Sequence, residues 1–131
     1  MSYFDTERQQ AFGVDLSRYN VSADLCHYPN FDELAVHKPQ LRFIGLRTGQ
    51  SWADKDPAFA VLVREAMRIG LCVLPYHVIY PGEPALKQVD FMLKLLEGIP
   101  LEKLRLVLDL ELKHNQSRTT ITNTTLCCLE L

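Results

Sequence analysis

The chain has 131 residues, of which 47% are hydrophobic and 23% charged, with a formal net charge of -2. That is enough length and apolar content for one domain with a hydrophobic core. It offers no basic surplus to neutralise phosphates and no cationic patch for an anionic membrane, so neither nucleic acid nor a membrane surface is expected as a partner.

No apolar run approaches the roughly 18 residues that a membrane helix needs. The opening, Met1 to Arg8, is too polar and acidic for a secretory signal. The four cysteines, Cys26, Cys72, Cys127 and Cys128, lack metal-ligand spacing and are expected as reduced thiols.

Strand and helix signals then alternate. Residues 11–16 (Ala11 to Leu16) form a short apolar run, the first expected strand. Asn30-Phe31-Asp32-Glu33 reads as a capping box for a helix over 31–38, stopped by Pro39. Residues 41–47 are the second expected strand. Asp56-Pro57 announces a helix over 57–69, with Asp56 as cap, Pro57 in the first position, Ala60, Val63, Ala66 and Met67 at helical spacing, and Gly70 as stop.

Residues 71–78 are the third expected strand. Pro84 opens a helix over 84–97 with Leu86, Val89, Met92, Leu93 and Leu96 as its stripe. Residues 104–112 are the fourth strand. A last helix from about Thr119 carries Ile121, Leu126 and Leu129, although its β-branched start is a poor helix former. Strands alternating with helices predict βαβ units and an α/β fold with a parallel sheet, its strands flanked by helices and buried on both faces. Four units are half of a closed (β/α) barrel of the TIM type. The expectation is a single domain over 1–131 holding the N-terminal half to two thirds of such a barrel and incomplete at its C-terminal side.

Val107-Leu108-Asp109-Leu110-Glu111-Leu112 carries the strongest chemical signal. On a strand Asp109 and Glu111 share one face. Two carboxylates together on an apolar strand are expensive to bury, and their repulsion raises one pKa, as a general acid near neutral pH requires. Asp15 also ends an apolar strand, where barrel enzymes place catalytic groups. Three acids without a basic cluster favour glycoside hydrolysis. A divalent-cation site is the other chemistry they could serve. The alternative is an edge strand whose acids are solvated or paired to Lys or Arg.

In order along the chain, Gly13-Val14-Asp15-Leu16-Ser17, Phe43 to Gly49, Asp56-Pro57-Ala58-Phe59 with Gly70-Leu71 and Pro75-Tyr76-His77, and Leu108-Asp109-Leu110-Glu111 are similar to blocks of the family 25 glycoside hydrolases, the muramidases or lysozymes of bacteria and phages. The resemblance spans about residues 12 to 112. It implies a β/α barrel that cleaves the β-1,4 bond between N-acetylmuramic acid and N-acetylglucosamine in cell-wall peptidoglycan, without a cofactor or metal. It also implies Glu111 as general acid, Asp109 as the residue orienting the substrate's acetamido group, Asp15 in support, and Tyr76 in the cleft. His77, Arg47 and Trp52 join Tyr76 as candidate substrate-binding residues, His77 being equally readable as structural because it faces away from Tyr76. Tyr19, Tyr28 and Phe31 are further aromatics that could stack on sugars or simply pack.

The chain departs from the family in two ways. Thr48-Gly49-Gln50 stands where many members carry an acid, and the family's late acidic strand has no counterpart before Leu131. The alternatives are therefore a non-catalytic carbohydrate-binding module or an inactive fragment. Without a signal, a cell-wall enzyme is expected in the cytoplasm at synthesis and at the wall after lysis-linked or other release.

Overall fold

The computed structural model describes residues 13–15, 31–36, 43–100, 104–111 and 115–130. Strand β1 (Gly13–Asp15) is followed by α1 (Phe31–Val36), β2 (Phe43–Gln50), β3 (Asp54–Lys55), α2 (Phe59–Arg68), β4 (Cys72–Val78), α3 (Ala85–Leu95), β5 (Val107–Asp109) and α4 (Arg118–Glu130). The four expected strands pair in chain order, β1-β2-β4-β5, every pair parallel. A sheet wound in one direction, with a helix between each successive pair, is the arrangement that closes into a β/α barrel, and among the described residues four of its strands are present.

Alternation sorts the strand residues into two faces. Ile44 and Leu46 of β2 and Val73 of β4 are buried in one cluster with Phe31 of α1, Phe59, Leu62, Val63 and Ala66 of α2, and Met92 of α3. The other face carries Phe43, Gly45, Leu74 and Tyr76, all half-buried, and the exposed Val107. Burial on both faces was expected; the buried residues of α1, α2 and α3 instead gather on one, and the other face is only partly covered among the described residues.

The short hairpin strand β3 was not anticipated. Strand β2 runs three residues past its expected end and bulges there, so that Thr48 and Gly49 lie together opposite His77. The chain then turns back and pairs Gly49 with Lys55 and Gln50 with Asp54, antiparallel. Gly49 is required, since a Cβ there would collide with the Asp54 carbonyl oxygen. Helix α2 begins at Phe59, two residues later than expected. Asp56 still accepts an N–H, that of Ala58 (2.9 Å), but from a turn ahead of the helix. Gly70, at φ 73°, ends that helix as expected.

Two helix stripes are corrected. In α3 the buried residues are Gln88 and Met92, while Leu86 and Leu93 are exposed. The helix is turned because Gln88 is drawn inward to hydrogen-bond the chain after β4. In α4 the buried residues are Thr124 and Cys128, with Leu126 and Leu129 exposed. Those two meet the start of α3: Thr124 Oγ1 accepts the Gly82 N–H at 3.2 Å and the Cys128 thiol reaches the Ala85 carbonyl at 4.0 Å. Burial pushes that thiol's pKa up, with the neighbouring Cys127 adding to the effect. Strand β5 is three residues long rather than nine, because its ladder to β4 covers only Val107 to Asp109. No described helix is long and apolar enough to cross a membrane.

Candidate active site

In a parallel sheet all C-terminal strand ends lie on one side, and β1, β2, β4 and β5 bring their sequence-predicted residues there. Asp15 is the last residue of β1 and registers with Gly45, which registers with Leu74. Arg47 pairs with Tyr76, and Tyr76 with Val107; two residues further Val78 pairs with Asp109. Tyr76 and Asp109 therefore share the open face, and both are half-buried. The Asp109 carbonyl accepts the Ile79 N–H at 2.8 Å, fixing the strand end.

Glu111 lies two residues beyond the end of β5 and is exposed. The alternation that assigned it to the face of Asp109 stops at Asp109, so strand pairing does not fix its direction. Two residues of extended chain keep the pair within roughly 7 Å of each other in Cα position. Asp15 stands three strand spacings from Asp109, roughly 14 Å across the strands, and its register on β4 falls at Leu74 rather than Val78, roughly 13 Å back along them. Asp109 and Glu111 are thus backbone neighbours, whereas Asp15 is not near either along the sheet.

His77 belongs to the other face. It is fully buried, its Nε2 donates to the Ser51 carbonyl at 2.6 Å, and its Nδ1 lies 2.8 Å from the Thr48 hydroxyl. Phe91 of α3 meets it edge-on at 6.1 Å between ring centroids. Desolvation holds its pKa below the usual histidine value, only partly offset by the bond to Ser51. Both nitrogens serve the bulge and the turn after it, which keeps the ring away from the open face.

Arg47 is 6% exposed; its Nε and Nη2 lie 3.1 and 2.9 Å from one carboxylate oxygen of Asp56. That ion pair ties the end of β2 to the approach to α2. Trp52 follows the bulge but lies against α3, the helix that packs on the face opposite Asp109. Its indole N–H donates to Glu83 at 3.1 Å and the Lys87 ammonium lies 5.0 Å from its ring centroid. The structure thus brings Tyr76 and Asp109 together and directs His77 and Trp52 elsewhere. Tyr19 and Tyr28 lie outside the described residues.

Sequence reasoning missed a second polar group at this end. Gln50 donates to Asp54 at 2.6 Å and accepts from the Tyr80 hydroxyl at 3.2 Å. Gln88, fully buried, accepts the Tyr80 N–H at 2.8 Å and donates to the Tyr80 and Glu83 carbonyls at 3.1 and 3.2 Å. A glutamine four residues before Met92 on an otherwise apolar stripe was the available signal.

Solved structures share this arrangement. A family 25 glycosyl hydrolase from Bacillus anthracis superposes with a TM-score of 0.76 at 17% identity, over 95% of this chain and 55% of that one. A family 25 lysozyme from Aspergillus fumigatus gives 0.71 at 20% identity, over 90% and 57%, and a muramidase from Trichobolus zukalii 0.68 at 23%, over 90% and 57%. The chain has the family 25 glycoside hydrolase fold. It spans a little over half the length of those proteins. No protein-family model and no curated protein sequence matches it, so the likeness lies in the family 25 fold.

Proposed function

We propose that this chain carries the acid-bearing strands of a muramidase-type glycoside hydrolase acting on peptidoglycan. The observation that carries the reading is Asp109, half-buried at the C-terminal end of the last parallel strand of a family 25 fold, with Glu111 two residues on. Glu111 would protonate the glycosidic oxygen as the bond from the muramic acid anomeric carbon breaks. The substrate's own acetamido oxygen would bond to that carbon, and Asp109 would orient and stabilise the acetamido group as its charge develops. Water then opens the ring formed, returning the proton to Glu111. Asp15, across the sheet, would contribute charge rather than contact the reacting oxygen. Tyr76 lines the same face.

The exposure of Glu111 outside the strand favours one other reading, a module that binds the same glycan without cleaving it. The two are separated by measuring release of reducing ends from purified peptidoglycan together with co-sedimentation. Cleavage that disappears in Glu111→Gln supports the hydrolase; binding without cleavage supports the module.

A further inference from the structure

The Trp52 side chain takes no part in the face that carries Asp109, yet it is 44% exposed and held in place. An exposed indole costs solvation, and one pinned in a single orientation is a ready stacking surface. Its N–H is fixed to Glu83, whose own carbonyl is fixed by the buried Gln88. Beside the ring lies a shallow groove of about 220 Å³ lined by Trp52, Lys87, Asp90, Phe91 and Lys94. Lys87 and Lys94 are seven residues apart on α3 and so share a flank of the helix, with only Asp90 opposing them in the lining.

We propose that this groove is a second glycan site, on the helix side of the sheet, in which Trp52 stacks on a hexopyranose and Lys87 pairs with a carboxylate carried by that same sugar. The Lys87 ammonium lies over the indole, 5.0 Å from the ring centroid, and swings aside as a sugar stacks there, so the carboxylate it then meets sits within a few bonds of that sugar. The lactyl ether of muramic acid in a peptide-free strand meets that condition. A stem-peptide carboxylate lies further out. The choice of ligand rests on the peptidoglycan reading above.

Trp52 is the chain's one tryptophan, so intrinsic fluorescence reports on it alone. The unaltered protein and Glu111→Gln, which should not consume the ligand, are titrated with a peptide-free muramyl tetrasaccharide, with chitotetraose, and with the peptide-bearing fragment. The emission should shift saturably with the muramyl sugar and about fivefold more weakly with chitotetraose, the worth of one exposed charge pair. Lys87→Met, which keeps the aliphatic stem, should bring the muramyl affinity down to the chitotetraose level, and Lys94→Met should lower it less. Circular dichroism identifies a variant that has lost its fold.

Equal affinity for both sugars with no effect of Lys87→Met overturns the carboxylate pairing. Tighter binding of the peptide-bearing fragment overturns the choice of the lactyl group. Hydrolysis followed in parallel separates the two readings. Cleavage with an unmoved emission removes the groove and leaves the muramidase, whereas a saturable shift without cleavage removes the muramidase and leaves the groove.

Discussion

Gln88 holds Tyr80 by both ends of its peptide unit, as a neighbouring strand would: Oε1 accepts the Tyr80 N–H at 2.8 Å and Nε2 donates to the Tyr80 carbonyl at 3.1 Å. The clamp sits in a fully buried side chain. Gln88→Leu keeps the volume but leaves buried backbone groups without partners, at about 1–3 kcal/mol each. A loss of about 3 kcal/mol or more in urea denaturation is expected, and a loss below 1 kcal/mol would mean the loop does not depend on the clamp.

The ion pair of Arg47 and Asp56 has side chains 6% and 1% exposed. Removing one partner strands a buried charge, so Arg47→Met alone should cost about 3–5 kcal/mol, whereas Arg47→Met with Asp56→Asn should recover part of it. A double-mutant cycle by chemical denaturation measures the coupling. Additive losses would show that the two residues act separately.

His77 is buried with its pKa lowered, so the folded chain resists taking up a proton that the unfolded chain accepts near pH 6.5. Its contribution is complete above that value and is lost as pH falls through it toward the lower folded-state pKa. Stability should decline below about pH 6.5 with a slope of up to ~1.4 kcal/mol per pH unit from this residue. His77→Gln should be less stable at pH 8 yet show a shallower decline. Identical slopes for the two proteins would remove His77 as the source.

If the proposed hydrolysis is detected, Glu111→Gln should lower kcat by about 10²–10⁴-fold, the usual worth of general acid catalysis, with glycan binding retained. Asp109→Asn should also impair turnover. Reducing-end release by the three proteins on purified peptidoglycan tests both. Wild-type activity matched by Glu111→Gln would exclude it as the acid.

The parallel order of the strands was legible because apolar runs, Pro57, Gly70 and Pro84 punctuate the chain at regular intervals. The face shared by the candidate residues was legible only up to Asp109. Period-2 alternation continues through Glu111 in the sequence, but the ladder that enforces it ends at Asp109, and nothing in the residue types marks where pairing stops. The helix stripes failed at Leu86, Leu93, Leu126 and Leu129 for a related reason. Hydrophobicity ranks the leucines above Gln88, Thr124 and Cys128, yet in those two helices polar partners decide which side turns inward.

The bulge at Thr48 and Gly49 divides β2 into two reading frames. Before it, odd-numbered residues (Phe43, Gly45, Arg47) face the open side; after it the frame inverts, and Gln50 falls in line with Val78. The mouth of this strand is thus set by a count of residues as much as by their identity. Deleting Thr48 would remove the extra residue and leave a regular ladder, with Gln50 still in line with Val78, at the cost of the hydroxyl that meets His77 Nδ1 and the Tyr76 carbonyl. A deletion ahead of the bulge has no extra residue to absorb it and would turn part of the strand over.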